Sequence, residues 1–287
     1  MSILEGLSSM GLGKLENAEI YSDEKAKSSG AAGGGGNAPE KAFDEKEVLF
    51  DKSAECPICD KKFTHRAVKT GKARPKGQDP DLRTRYEKFD PLKYDVIVCP
   101  HCGYAALSKY FTTLPAVQVK LIKENISGRV FGVSESSVMS YDDAIRRYKL
   151  AIACCIVKKA KDSEKAYCCL KLAWVIRGKK ETLPQDCENY DAEMEKLAKE
   201  ENEALRMALE GFINARQKER FPIAGMDEVT IDYLLAVLAA RFERFDVTQK
   251  LIAGILLNRM ANSRIKDKAR ELKDQVLEQM KSKGEFS

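Results

Sequence analysis

The sequence lacks an apolar run long enough to cross a bilayer, and it has only two histidines among 287 residues. Its longest apolar runs, residues 233–240 and 251–257, fall far short of the roughly 18 residues that a spanning helix needs. An acid, Glu5, stands near the start, where a secretory signal carries basic residues. We therefore expect a cytoplasmic protein with no membrane insertion.

The scarcity of histidine also limits catalysis, because Ser-His-Asp and Cys-His sites need a histidine base. No Gly-Lys-Ser or Gly-Lys-Thr occurs, so the glycine-rich stretches are not phosphate-binding loops. The sequence favours a non-enzymatic protein. A thiol redox sensor or an enzyme is a less favoured alternative.

Val, Ile, Leu and Met are missing from residues 22–47, and five of the seven residues 30–36 are glycine. Such a stretch buries too little surface to offset its ordering entropy, which predicts a flexible Gly-rich linker over residues 21–50. Before it, residues 1–20 form a short apolar segment. It is either an idle tail or a docking segment for a helical groove of the same chain, a neighbouring chain or a partner. Its apolar residues are Ile3, Leu4, Leu7, Met10, Leu12 and Leu15.

Four of the nine cysteines form two Cys-x-x-Cys pairs, Cys56 with Cys59 and Cys99 with Cys102. A tight turn between two cysteines aims both sulfurs at one metal ion, and two such turns complete a tetrahedron. The four cysteines therefore predict one structural zinc ion. Four thiolates leave no position for water or substrate, which argues against a catalytic zinc.

Strands adjoining the two pairs predict a zinc-ribbon-like domain over residues 51–112. Residues 63–68 leave the first pair, and the β-rich residues 94–98 lead into Cys99. Asp60 and Gly103 follow the two pairs, where a left-handed residue closes each turn. The histidines, His65 and His101, lie in this domain, where we expect bystanders on the ribbon surface.

The 39 residues between Cys59 and Cys99 are basic, with 11 Lys plus Arg against six acids. They must form a loop or a hairpin of their own. Basic residues interleaved with aromatic ones are typical of a nucleic-acid surface, although a metal site of four thiolates adds negative charge nearby. The candidate nucleic-acid contacts are Lys61, Lys62, Arg66, Lys69, Lys72, Arg74, Lys76, Arg83 and Arg85.

Residues 113–287 have the apolar periodicity of antiparallel helices, which makes the predicted fold class mainly α. Ser140 has the position of an N-cap, and a second helix extends from a cap at Ser163 to a stop at Gly178. Further helices are predicted over residues 191–218, 228–243, 247–260 and 264–282. Residues 231–260 have the size of one tetratricopeptide-like hairpin, although Thr248 replaces the usual alanine.

Several of these motifs together resemble the bacterial DUF2225 family over roughly residues 50–280. In the zinc module they are Cys-Pro-x-Cys, the stretch 68–74, Asp79, Asp81, Tyr86, Pro91, the stretch 94–96 and Cys99-Pro-His-Cys-Gly-Tyr-Ala; in the helical half they are Leu172-Ala-Trp with Arg177, and Phe221-Pro with residues 225–228. The resemblance implies a zinc ribbon joined to tetratricopeptide-like helices in a bacterial cytoplasm. It implies no reaction.

We accordingly expect a zinc-binding scaffold that binds a protein or peptide partner through its helical array. The alternative is a nucleic-acid-binding protein that uses the basic insert. The sequence does not indicate the oligomeric state.

Overall fold

Three β-hairpins precede seven α-helices in the part of the chain that the computed structural model describes, which is residues 3–20, 43–130 and 136–282. Each hairpin is antiparallel, and the first and third carry a cysteine pair in their connecting turn. The second hairpin lies within the basic insert. The strands are β1 (Leu49–Glu55), β2 (Lys62–Val68), β3 (Pro75–Gln78), β4 (Thr84–Tyr86), β5 (Val96–Val98) and β6 (Ala105–Leu107).

From the second helix onward, the helices are joined by connections of three to nine residues, and each helix packs against the next. Short connections between packed helices give an antiparallel array. The helices are α1 (Ala116–Asn125), α2 (Tyr141–Val157), α3 (Asp162–Thr182), α4 (Tyr190–Lys218), α5 (Glu228–Arg241), α6 (Phe245–Leu257) and α7 (Ser263–Ser282). The predicted mainly α fold with a small cysteine-bearing β module is confirmed.

The start of α2 follows the expected capping chemistry. The Ser140 hydroxyl accepts the Asp143 N–H at 3.0 Å, and the Asp143 carboxylate accepts the Ser140 N–H at 3.2 Å. This reciprocal pair satisfies two N–H groups that the first turn leaves free. Helix α1 has no counterpart among the predicted helices, because Ile122 is its one fully buried residue and Val117 is largely exposed.

The predicted stop at Gly178 is wrong, because α3 continues through it to Thr182. Gly178 is buried in the helix interior, and a β-carbon there would lie 2.6 Å from Cε1 of Tyr141. The glycine therefore permits a close approach between α3 and the start of α2. A sequence pattern cannot distinguish this role from a helix end.

One hydrophobic core extends across residue 112, where the sequence predicts the boundary between the zinc-ribbon-like domain and the helices. Strand β6 is buried against α2, and the same cluster extends from Leu4 through Val98 and Leu107 to the interior of α2–α5. A second, smaller cluster joins α5, α6 and α7 around Phe245 and Ile252. The β module and the first helices therefore share their core.

The end of the predicted linker needs correction. Residues 21–42 lie outside the described residues, but residues 43–50 have defined structure. Phe43 stacks on Phe89, with ring centroids 5.7 Å apart, and Val48 and Leu49 are buried. The Glu45 carboxylate pairs with Lys93 at 2.8 Å and accepts the Tyr94 hydroxyl at 2.7 Å. These contacts attach the chain to the β module before β1 begins.

Within the described residues, none of the helices combines the length and the apolar character that a membrane-spanning helix requires.

The close approach at Gly178 leads to a testable difference between two helical glycines. Gly178→Ala forces the Tyr141 ring to move, so we expect it to lower the free energy of unfolding by about 1–3 kcal/mol. Gly254→Ala in α6 meets no atom within 4 Å and should raise that free energy by about 0.5–1 kcal/mol through helix propensity. Chemical denaturation of both variants measures the two changes, and equal changes would contradict the packing role.

Candidate metal centre

The two cysteine turns share one backbone pattern, although they belong to different hairpins. In each turn, the backbone N–H of the first cysteine donates to the carbonyl oxygen of the residue five positions later. The carbonyl oxygen of the same cysteine accepts the N–H of the residue four positions later. These bonds are Cys56 N–H to Lys61 O at 3.0 Å, Asp60 N–H to Cys56 O at 2.9 Å, Cys99 N–H to Tyr104 O at 2.8 Å and Gly103 N–H to Cys99 O at 2.9 Å. The repeated pattern gives the two cysteine turns the same local backbone conformation.

A left-handed residue closes each turn, as the sequence predicts. The backbone φ is 58° at Asp60 and 78° at Gly103. A β-carbon at Gly103 would lie 2.5 Å from Cβ of Val130, so packing and backbone conformation both favour glycine there.

The four sulfurs converge, with all ligand atoms within 4.8 Å of one another. Cys56 Sγ lies 3.5 Å from Cys102 Sγ, and Cys59 Sγ lies 3.7 Å from Cys99 Sγ. A tetrahedron with metal–sulfur bonds of about 2.3 Å has edges of about 3.8 Å, so the observed separations fit four thiolates around one ion. Cys56, Cys59, Cys99 and Cys102 can therefore hold a metal ion.

The protonation of these thiols favours a cation at their centre. Hydrogen bonding from the Cys102 and Cys56 thiols lowers the pKa of Cys99 to about 2. Hydrogen bonding to Cys56 and Cys99, together with burial, raises the pKa of Cys102 well above its usual range. One thiolate is thus stabilised at the expense of its neighbours, and a metal ion supplies the positive charge that allows all four to ionise.

The centre is attached to helix α2 through the residues after Cys102. The Ala105 N–H donates to Cys154 Sγ at 3.4 Å. The Tyr104 hydroxyl lies 3.4 Å from the buried Lys158 ammonium, which pairs with Glu164 at 2.7 Å. Movement of the second cysteine turn would therefore disturb polar contacts on α2 and α3.

Neither histidine belongs to the metal-binding group that the described residues contain. His65 is buried in β2, with Nδ1 3.1 Å from the Arg66 carbonyl oxygen, which corrects the expectation that it lies on the ribbon surface. His101 is exposed between Cys99 and Cys102.

The basic residues of the insert do not form one free surface. Arg83 is only 5% exposed and pairs with Glu181 at 3.0 Å, so its guanidinium is not presented at the surface for a nucleic acid. Arg85 pairs with Asp79 and Glu181, and Arg66 pairs with Asp51. The Lys69 ammonium donates to the carbonyl of Glu47. The other candidates are exposed: Lys61, Lys62, Lys72, Arg74 and Lys76.

Residues 3–20 lie on the helices of their own chain. The Lys149 ammonium of α2 donates to the Glu5 carbonyl at 2.8 Å and pairs with Glu200 of α4 at 3.4 Å. The Glu16 carboxylate accepts the N–H groups of Gly6 and Ser8, which folds the segment into a compact turn. Of the candidate docking residues, Leu15 is half-buried, and the others are buried: Ile3, Leu4, Leu7, Met10 and Leu12.

Sequence reasoning missed the ion-pair cluster that joins the insert to the helices. Arg177 of α3 pairs with Asp79 at 3.0 Å, with Asp81 at 2.7 Å and with Glu201 of α4 at 2.8 Å. Glu201 also pairs with Lys180 at 3.0 Å. The sequence feature that could have indicated this cluster is the presence of Asp79 and Asp81 close together in the basic insert.

The geometry of the centre predicts the effect of losing one ligand. Cys99→Ser removes one thiolate, so we expect the purified variant to lose its metal and to unfold at a lower temperature, because metal binding contributes to folding. Cys187→Ser is the matched control, since Cys187 lies outside the cluster and is half-exposed. Elemental analysis with thermal unfolding measures both effects. Full metal retention in Cys99→Ser would contradict the assignment.

No curated protein and no solved structure matches this chain. One family model matches residues 49–276, which includes the three hairpins and most of the helical array, and its description reads "Uncharacterized protein conserved in bacteria (DUF2225)". The chain, with its four-cysteine cluster and helical array, therefore belongs to the DUF2225 family.

Proposed function

We propose that this protein is a non-enzymatic scaffold that binds a peptide segment of a protein partner through its helical array. A zinc ion held by Cys56, Cys59, Cys99 and Cys102 stabilises the β module. The observation that carries the proposal is that the array already accommodates an 18-residue peptide segment, residues 3–20, whose apolar side chains are buried on it.

The donor set supports zinc as the metal. Four thiolates in a tetrahedral arrangement are typical of structural zinc sites and of iron–sulfur clusters. The sulfur separations of 3.5 and 3.7 Å fit a single central ion, whereas a multi-iron cluster needs cysteines further apart. Zinc has no redox chemistry of its own, and four protein ligands leave it no position for substrate, so its role is structural.

The terminal helices support a tetratricopeptide-like array. Helices α5 and α6 form a closely packed pair connected by residues 242–244, with a left-handed residue, Glu243, in the turn. Thr248 stands where this repeat usually has alanine, and it is fully buried with its hydroxyl donating to the Arg244 carbonyl at 3.0 Å. A threonine whose hydroxyl is satisfied within its own helix fits the small space between two such helices. Arrays of this kind present faces that bind peptides.

The proposed compartment is the bacterial cytoplasm. The family is described as conserved in bacteria, and reduced thiols at nine cysteines fit a reducing environment.

The peptide-binding face can be tested by releasing the segment that covers it. Leu4 and Leu7 are fully buried, so the double variant Leu4→Asp/Leu7→Asp of the full chain should detach residues 3–20. We then expect a labelled synthetic peptide of residues 1–20 to bind this variant in trans and not to bind the unaltered chain. Fluorescence anisotropy measures the binding.

Lys14→Asp provides the control, because it produces the same change in net charge at an exposed position. This control variant should leave residues 3–20 bound to the helices, so the peptide-binding face stays covered and the added peptide does not bind. Absence of peptide binding to the Leu4→Asp/Leu7→Asp variant, with its helical content retained, would contradict a peptide-binding face.

The metal assignment has its own test. The purified protein should contain one zinc ion per chain, and treatment with a strong chelator should lower its thermal stability, with recovery on adding zinc. Iron in place of zinc, with the visible absorption of an iron–sulfur cluster, would overturn the zinc assignment while leaving the peptide-binding proposal open to its separate test.

A further inference from the structure

Strand β1 has an open edge. The first sheet consists of β1 and β2 alone, so β2 covers one edge of β1, and no strand of the described residues pairs with the other. Most of β1 is exposed to solvent. An unpaired strand edge presents a row of free N–H and C=O groups, which makes it a template for a strand from another chain.

The backbone bonds at the two ends of the hairpin show which groups face the open edge. The carbonyl oxygen of Val48 accepts the Lys69 N–H at 2.9 Å, and the Cys56 N–H donates to the Lys61 carbonyl at 3.0 Å. In an antiparallel pair, the backbone groups of successive residues alternate between the partner strand and the opposite side. Even-numbered residues of β1 therefore bond to β2, and odd-numbered ones face outward. The outward-facing residues whose backbone groups pair with no described residue are Asp51, Ser53 and Glu55.

The side chains along this edge carry negative charge. Asp51, Ser53 and Glu55 are all exposed, and they share one face of the strand because successive side chains alternate between faces. The two acidic positions lie about 13 Å apart along the strand. Glu55 has no ion pair among the described residues, and Asp51, which pairs with Arg66 at 3.2 Å, keeps a side chain that is 64% exposed. Both carboxylates are therefore accessible to a further strand.

Charge and register indicate what kind of strand fits this edge. Pairing with a second copy of β1 about Ser53 would place Asp51 of one chain opposite Glu55 of the other, and like charges directly opposite each other are destabilising. On its inner edge, the same row already faces a basic strand, whose residues are Arg66, Thr64 and Lys62. A strand with that pattern on the outer edge would lie about 10 Å from β2, with the acidic row between the two basic ones.

The opposite face of β1 sets a second condition. Phe50 is 39% exposed on this face, and Lys52 is exposed two residues later, with no ion pair among the described residues. On β2, Ala67 lies opposite Phe50 and His65 lies opposite Lys52. An incoming strand therefore fits when it has an apolar residue opposite Phe50 and no cation opposite Lys52.

We propose that the open edge of β1 binds an extended segment of a partner protein by strand addition, and that this segment has two basic residues four positions apart with a hydroxyl residue between them. The backbone groups of Asp51, Ser53 and Glu55 pair with the segment, and the two carboxylates face its basic side chains. Main-chain bonds provide affinity in this mode of binding, and the side chains provide selectivity. The edge is separate from the helical face that residues 3–20 cover, so the proposal does not depend on that face.

Fluorescence anisotropy on the full-length, metal-loaded chain tests the edge with a labelled peptide of the β2 sequence, residues 62–68. The comparison peptide has glutamate at the positions of Lys62 and Arg66. We expect the β2 peptide to bind about tenfold more tightly, because two pairs of opposite charge replace two pairs of like charge. The net charge of the chain, +5, would by itself favour the glutamate peptide. Equal binding of the two peptides, or binding of neither at millimolar concentration, would overturn the proposal.

Charge reversal on the protein locates the binding site. Asp51→Lys/Glu55→Lys should reverse the preference, so that the glutamate peptide binds more tightly than the β2 peptide. The matched control is Asp274→Lys/Glu278→Lys, which changes the same two residue types, four positions apart, at exposed positions of α7. The control should keep the original preference, and thermal unfolding verifies that both variants are folded. The same result for both double variants would overturn the assignment to β1.

Main-chain pairing has a test that leaves the protein unaltered. In the proposed register, the N–H of the peptide's threonine faces β1, and the N–H of its histidine faces away. Methylation of the threonine nitrogen should therefore weaken binding about tenfold, because it removes a main-chain hydrogen bond. Methylation of the histidine nitrogen is the matched control and should have a much smaller effect. Equal effects of the two methyl groups would overturn strand addition.

Discussion

The arrangement of the β module depends on the convergence of four cysteine sulfurs. They come from two turns that are separated by 39 residues in the sequence. The first two hairpins bury little apolar surface, since most of β1 and all of β3 are exposed, whereas β5 and β6 are buried in the core shared with the helices. Convergence of four sulfurs fixes the first hairpin relative to the third. A metal ion bound there would make this convergence favourable, because it would balance thiolates that otherwise repel one another.

Ion pairs between buried groups continue the attachment from the module to the helices. Arg177 joins two aspartates of the insert to Glu201 of α4, and Lys171 pairs with Asp95 beside β5. Removing one member of such a buried pair leaves an uncompensated charge, which costs about 3–5 kcal/mol. The pairs therefore define where the insert sits, while the shared apolar core provides most of the burial energy.

The two cysteine turns and most helices could be predicted from the sequence, because both depend on local spacing. Cysteine pairs and the Ser140 cap act within a few residues. The positions that escaped prediction depend on contacts between distant segments. Gly178 admits the Tyr141 ring, Arg83 is neutralised by Glu181 almost a hundred residues later, and α1 has too weak an apolar stripe to be recognised. Local periodicity carries no information about these partners.

The central claim is that the metal centre stabilises a core that the β module shares with α2. Amide hydrogen exchange of the metal-loaded and metal-free full chain tests it most directly. The account predicts that metal removal lowers protection in residues 96–107 and also in α2, which packs on β6 and accepts the Ala105 N–H through Cys154. Loss of protection confined to the two cysteine turns, with α2 unchanged, would contradict it.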